Sequence, residues 1–274
     1  MQAVRRTSVA GKWYPDNPTR LVSELDAYLA RARVDEPPRP LRAIIAPHAG
    51  LMYSGPVAAY AYAAARRAHC RALVMVGPSH FVAFSGVSIW PGGSWDTPLG
   101  PVMVDTELAA AITAEWPHVV DLPAAHGREH SLEMQMPFVA HLLPGVPIVP
   151  LVMGQQTRET AFALGAAISR AVAAQAPDAL LVASSDLSHY EDAATAISLD
   201  RVVIQHVESL DAEGLMGAIE AEPRHACGGG PMVSVIEAAR KLGATEARLL
   251  QYADSGDVSG DKSSVVGYMA AAIW

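Results

Sequence analysis

The chain has 274 residues, 51% of them hydrophobic and 18% charged, with a formal net charge of −8. A chain this long buries about three quarters of its unfolded surface, so it needs no cross-links to hold a core. The acidic balance argues against a nucleic-acid backbone as partner, and no apolar run reaches the ~18 residues of a membrane span.

Cys70 and Cys227 are the two cysteines, too few for a disulfide framework and too far apart for a Cys-x-x-Cys pair. That usage fits a reducing, cytoplasmic setting. Met1 to Thr7 holds two arginines with no apolar stretch behind them, so it does not read as a signal peptide.

Ala10 to Pro15 reads as a loop, and Leu21, Leu25, Tyr28 and Leu29 predict a helix from Pro18 to about Arg33. Pro37, Pro38 and Pro40 then break the chain. The apolar run Ala43 to Ala46 predicts a buried strand, which Pro47 stops, leaving His48 at its C-terminal edge. An alanine-rich helix over 56–67 follows. Ala72 to Val76 predicts a second strand, leading through Gly77, Pro78 and Ser79 to His80. Short strands and turns fill 81–100.

Asp105 is placed to N-cap a helix through Glu115, and Pro123 to Gly127 reads as a loop. Leu132, Met136, Val139 and Leu143 predict a helix over 130–143, bent near Pro137. A strand over 146–152 and a helix over 157–174 come next. Ala179 to Ala183 predicts a third strand, leading through Ser184, Ser185 and Asp186 to His189. Helices over 192–207 and 211–219 precede a tight loop, Cys227 to Pro231, that opens a helix to Lys241. Strands over 248–252 and 265–273 close the chain.

This alternation predicts one three-layer α/β/α domain over 1–274, with a mixed, largely parallel central sheet. Ligands of open α/β sheets bind beyond the carboxyl ends of the strands, so His48, His80 and His189 are expected at one site.

Neutral histidine is a common transition-metal ligand, and two histidines in like settings, Pro47-His48-Ala49-Gly50 and Gly77-Pro78-Ser79-His80, point to a metal. Cys227 precedes three glycines, which let backbone approach a ligand, and a helix N-terminus, which favours a thiolate. Cys70 has no such setting and reads as structural. Asp186 stands three residues before His189, where its carboxylate can orient the imidazole for proton transfer or serve as an N-cap. Glu129-His130-Ser131-Leu132-Glu133 is an acid-base-acid set, with Glu133 on the His130 face, suited to substrate contact or to helix capping. His69, His118, His126, His141, His206 and His225 sit in no motif. His-Glu-x-x-His, Gly-x-Ser-x-Gly, Gly-x-Gly-x-x-Gly and Walker patterns are absent.

The pieces Ala10-Gly11-Lys12-Trp13-Tyr14-Pro15, Pro47-His48-Ala49-Gly50 with Tyr53-Ser54-Gly55, Gly77-Pro78-Ser79-His80, Glu129 to Met134, Ser184-Ser185-Asp186 with His189, and Cys227-Gly228 run in order along the chain. Together they resemble the Memo family, known in prokaryotes as protein B of the AmmeMemoRadiSam system. That family is similar to the class III extradiol dioxygenases, non-haem iron enzymes that cleave catechol rings.

The resemblance implies the dioxygenase-like fold and a metal centre of His48, His80 and Cys227. It implies His189, with Asp186, as the acid/base group, and Tyr53, His130 and Glu133 around the open position. Cys227 falls where the dioxygenases carry a carboxylate. A thiolate is softer, so copper or zinc stands beside iron(II) as the implied metal, and the sulfur is itself oxidisable. The implied activity is an iron-dependent oxidoreductase acting on a small molecule. Alternatives are a non-enzymatic adaptor that binds a peptide in the same cleft, as animal members are described, or a copper- or iron-handling redox protein.

Overall fold

The computed structural model describes residues 3–274. β1 (Val4–Arg5) and α1 (Pro18–Leu29) lead into β2 (Ala43–Ala46), α2 (Leu51–Ala65) and β3 (Leu73–Pro78). Short elements follow: β4 (Val87–Ile89), β5 (Ser94–Trp95), β6 (Val102–Met103), α3 (Thr106–Glu115), β7 (Val119–Val120) and α4 (Pro123–Gly127). A 3-10 turn at Glu133–Gln135 enters α5 (Met136–Leu142), then come β8 (Ile148–Met153), α6 (Arg158–Gln175), β9 (Leu180–Ser184) and β10 (His189–Glu191). The chain ends through α7 (Ala193–Glu208), α8 (Ala212–Ala221), α9 (Gly229–Lys241), β11 (Ala247–Asp254), α10 (Gly256–Ser259) and β12 (Val265–Ile273).

The main sheet has the order β10-β12-β2-β9-β3-β8-β4-β7, with β11 also pairing β12. Its centre, β2-β9-β3-β8, is parallel throughout, while β12 and β4 join antiparallel on either side. The central strands are buried along their whole length, as expected of parallel strands covered on both faces. Successive side chains of β2 alternate between two cores. Ala43 and Ile45 pack with α3, α6 and α9 residues such as Ile112, Leu164 and Val235. Ile44 and Ala46 pack with α1, α2 and α5 residues such as Leu21, Tyr62 and Phe138. Helices thus cover both faces, and the three-layer α/β/α architecture with a mixed, largely parallel sheet is the one expected.

Side-chain caps set several helix starts. Asp105 Oδ1 accepts from Leu108 N at 3.0 Å, and Thr157 Oγ1 from Thr160 N at 3.1 Å. Three local expectations need correction. Helix α2 begins at Leu51, not near Pro56: Gly50 is its N-cap and Pro56 lies inside the helix. Pro123 to Gly127 is a one-turn helix with proline in its first turn, not a loop. The helix expected from His130 begins only at Met136, because the Glu129 carboxylate gathers the N–H groups of His130 and Ser131 into a turn.

The central parallel strands all point the same way, so the C-terminal ends of β2, β9 and β3 lie side by side. Their following residues, His48, Asp186 to His189 and His80, emerge at one edge of the sheet. Behind that edge, Asp200 of α7 accepts from Ser188 N at 2.9 Å and from the Tyr252 hydroxyl at 2.7 Å. Gly267 of β12 makes room for it: a Cβ there would stand 2.0 Å from Asp200 Oδ2. Gly267→Ala is therefore expected to cost about 1–3 kcal/mol by overpacking. Gly217→Ala, in α8 where a Cβ meets nothing within 4 Å, is expected to be neutral or to stabilise by up to about 1 kcal/mol. Urea denaturation of the two variants checks the contrast, which equal stabilities would refute.

Candidate metal centre

His48, His80 and His130 bring one ring nitrogen each within 4.8 Å of one another. His48 and His130 are buried, at 1% and 8% exposure, and His80 is exposed. The rings of His48 and His80 stand edge to face at 5.2 Å between centroids, and those of His80 and His130 stack at 4.5 Å.

Hydrogen bonds fix which nitrogen each imidazole offers. Ser184 Oγ donates its one proton to the Ser131 carbonyl at 2.6 Å and accepts from Gln135 Nε2 at 2.8 Å. Its remaining lone pair, 2.9 Å from His48 Nδ1, can only accept, so His48 carries its proton on Nδ1 and a lone pair on Nε2. Gln135 is itself oriented, donating to the Pro47 carbonyl at 3.0 Å while its Oε1 accepts from Tyr62 at 2.9 Å.

The Glu129 carboxylate does the same for His80, accepting from its Nδ1 at 2.8 Å and its backbone N at 2.6 Å. It also accepts from the N–H groups of His130 at 2.9 Å and Ser131 at 2.8 Å. A carboxylate on one histidine nitrogen orients the ring and makes the other nitrogen a better metal donor.

The electrostatics keep His48 and His130 unprotonated. Burial, then the neighbouring His80, holds His48 well below the usual histidine range. Burial, then His48 and His80, brings His130 down to about 4. Burial alone would raise the Glu129 carboxyl, but the bonds and charge from His80 and the bond from Ser131 outweigh it and bring it down to about 2.

Cys227 stands outside this group of three imidazoles. Its Sγ is 3.3 Å from His48 Nε2 and 3.6 Å from the Asp186 carbonyl, while burial and then Asp186 push its thiol up. Gly228 docks the loop, donating to Ser185 Oγ at 2.9 Å where a Cβ would stand 2.7 Å from the Ser184 carbonyl. Gln156 holds the loop from the other side, donating to the Cys227 carbonyl at 2.7 Å and accepting from Gly230 N at 2.8 Å.

The Asp186 carboxylate stands near enough to His189 to feel its charge but hydrogen-bonds elsewhere. Asp186 Oδ1 accepts from the backbone N–H of His48 at 2.6 Å, and His189 Nδ1 donates to the Leu187 carbonyl at 2.8 Å. His189 is half-buried, bears electrostatically on His48, and is followed by Tyr190, 77% exposed with φ +62°. Glu133 faces away from the cluster. It is fully buried and accepts from Arg5, from Ser8 N and Val9 N at 2.9 Å, and from the Tyr14 hydroxyl at 2.9 Å. Tyr53 is half-buried in the first turn of α2. At the mouth, Trp13 packs on His130 at 4.4 Å and Phe81 approaches the same ring at 5.8 Å, both partly exposed.

Sequence reasoning missed Ser184, Gln135 and Gln156 and gave Glu129 no separate role. Glu129 had a signal in its adjacency to His130, and Ser184 in closing the third strand. The two glutamines had none.

His126, four residues before His130, gives a test of burial. It is fully buried and brought down to about 3, by burial first and then by Arg5. Its folded value lies below the unfolded ~6.5, so the unfolded chain binds the extra proton and stability is lost as pH falls from about 6.5 towards 3. Between pH 7 and 4.5 this amounts to about 2.5 kcal/mol, which denaturant titrations should find in the wild type and largely missing in His126→Asn. Equal pH slopes in the two proteins would contradict it.

Among known proteins, the Memo-like protein family matches residues 5–272. The MEMO1 family protein of Methanothermobacter thermautotrophicus is 41% identical over 273 residues, covering 97% of this chain and 98% of that protein. Its counterpart in Sulfolobus acidocaldarius is 39% identical over 280 residues, covering 97% and 98%. An uncharacterized protein from Escherichia coli K12, known from its crystal structure, shares the fold with a TM-score of 0.55. It is 16% identical, with 84% of this chain and 99% of that one covered. Matched almost from end to end at this identity, the chain belongs to the Memo-like family.

Proposed function

We propose that the chain is a metal-binding protein holding iron(II) between His48 and His80, and that it is an oxidoreductase acting on a small molecule. The observation that carries the reading is the convergence of imidazoles whose other nitrogens are already committed, to Ser184 for His48 and to Glu129 for His80. Cys227 is the proposed third donor. The 3.3 Å between its sulfur and His48 Nε2 is the separation of two ligands on one ion, given metal–sulfur and metal–nitrogen bonds of about 2.3 and 2.0–2.1 Å. Metal binding would then release the thiol proton.

Bound iron would supply one-electron and oxygen chemistry. The chain's own residues bind, orient and exchange protons. His189, with Nδ1 committed to the Leu187 carbonyl, offers Nε2 as a proton acceptor or donor to a substrate hydroxyl. Asp186 acts on the metal side, holding the His48 backbone in place. Trp13 and Phe81 wall the mouth with apolar surface.

A second reading of the metal set is favoured by the three-imidazole cluster, in which His130 rather than Cys227 completes the site. Anaerobic iron(II) titration of Cys227→Ser and His130→Ala separates the two: the variant that loses stoichiometric binding names the third ligand. Oxygen uptake with a panel of phenolic and other oxygenated small molecules tests the enzymatic half. Peptide binding that survives metal removal would favour an adaptor instead.

A further inference from the structure

Arg5 lies in the first strand, away from the three imidazoles, yet its side chain is only 2% exposed. Its guanidinium donates in three directions, all to one short segment. Nε reaches the His126 carbonyl at 3.1 Å, one terminal nitrogen the Glu133 carboxylate, and the other the Glu129 carbonyl. Trp95 covers the guanidinium face, with Cζ 4.7 Å from the ring centroid. Glu133 returns the grip by binding Ser8 N, Val9 N and the Tyr14 hydroxyl, fastening residues 5–14 to the same segment. That segment carries both Glu129, which orients His80, and His130. The next residue before Tyr14 is Trp13, which packs on His130.

We infer that Arg5 and Glu133 are positioning residues for the metal centre. They fix residues 126–133 so that the Glu129 carboxylate meets His80 Nδ1 and His130 faces His48. The inference rests on the metal reading above. Only a planar fork satisfies three acceptors lying in three directions, and a lysine ammonium at position 5 reaches fewer of them. A purely structural role predicts something else. Exchanging the pair for apolar residues of similar volume removes the fork without leaving a lone buried charge, although the Ser8, Val9 and Tyr14 donors each lose their acceptor at a cost in stability.

The test uses the full chain as the double variant Arg5→Met/Glu133→Leu, with Arg6→Met as control because Arg6 makes an exposed pair with Asp96. Cobalt(II) serves as the probe. The folded double variant is expected to bind cobalt 10–100-fold more weakly, the range usual for groups that orient ligands, with a shifted visible spectrum. Imidazole ¹⁵N spectra of the metal-free protein should show His80 losing its single Nδ1–H tautomer. Arg6→Met should match the wild type in both. A double variant with wild-type cobalt affinity and unchanged imidazole resonances overturns the inference. If the double variant does not fold, Arg5→Lys takes its place, with the same tautomer loss expected and a wild-type spectrum overturning the inference. Should the wild type bind no cobalt while the tautomer change persists, the metal reading falls and the positioning role stands.

Discussion

His48→Ala is expected to abolish stoichiometric iron(II) binding, lowering affinity by about 100-fold or more, beyond the 10–100-fold typical of losing an orienting group. The size follows from how completely the ring is committed. Ser184 spends its proton on Ser131, so His48 Nδ1 must donate and Nε2 must present a lone pair. Burial and the neighbouring imidazoles keep that lone pair free of protons at neutral pH. An anaerobic titration followed by metal analysis checks it. A His48→Ala protein that still binds one iron per chain as tightly as wild type would be inconsistent with the site.

Glu129→Ala is expected to cost about 4 kcal/mol or more and to weaken metal binding 10–100-fold. Four N–H donors lose their acceptor at once: both groups of His80 and the backbones of His130 and Ser131. Each buried donor left unpaired costs about 1–3 kcal/mol, and the part-buried groups of His80 can turn to water, which keeps the sum near the lower end. Glu129→Gln keeps an oxygen for the three donors that meet Oε1 and turns an NH2 only towards His80 N, so it should lose about a quarter as much. The folded carboxyl titrates at about 2, below its unfolded value, so its stabilisation is present above ~4.5 and disappears as pH falls towards 2. Urea titrations at pH 7 and pH 3 test both statements. Wild-type stability in Glu129→Gln at pH 7 would refute the account of this residue.

The strand ends were legible in the sequence because a parallel strand covered on both faces must be apolar throughout, and a proline, or glycine and proline together, then mark its exit. Ala43 to Ala46 before His48 and the run before His80 carried that signal without tertiary information. Their convergence depended on a topological rule, and the adjacency of β2, β9 and β3 satisfies it. What stayed hidden was contact between distant polar side chains. Asp186 beside His189 looked like a pair at three-residue spacing, yet the turn aims the carboxylate at the His48 backbone 138 positions away. Glu133 looked like a partner for His130, but the 3-10 turn sends it to residues near the start of the chain. Arg5 carried no signal at all. Its role exists only where β1 is laid against β5 and the 126–133 segment.

The most direct measurement is an anomalous-diffraction map at the iron edge from crystals of protein purified without oxygen. One peak is predicted, about 2.0–2.2 Å from a ring nitrogen of each of His48 and His80. A metal bound at some other place on the chain, or no peak between those two rings, would contradict the centre on which the functional reading depends.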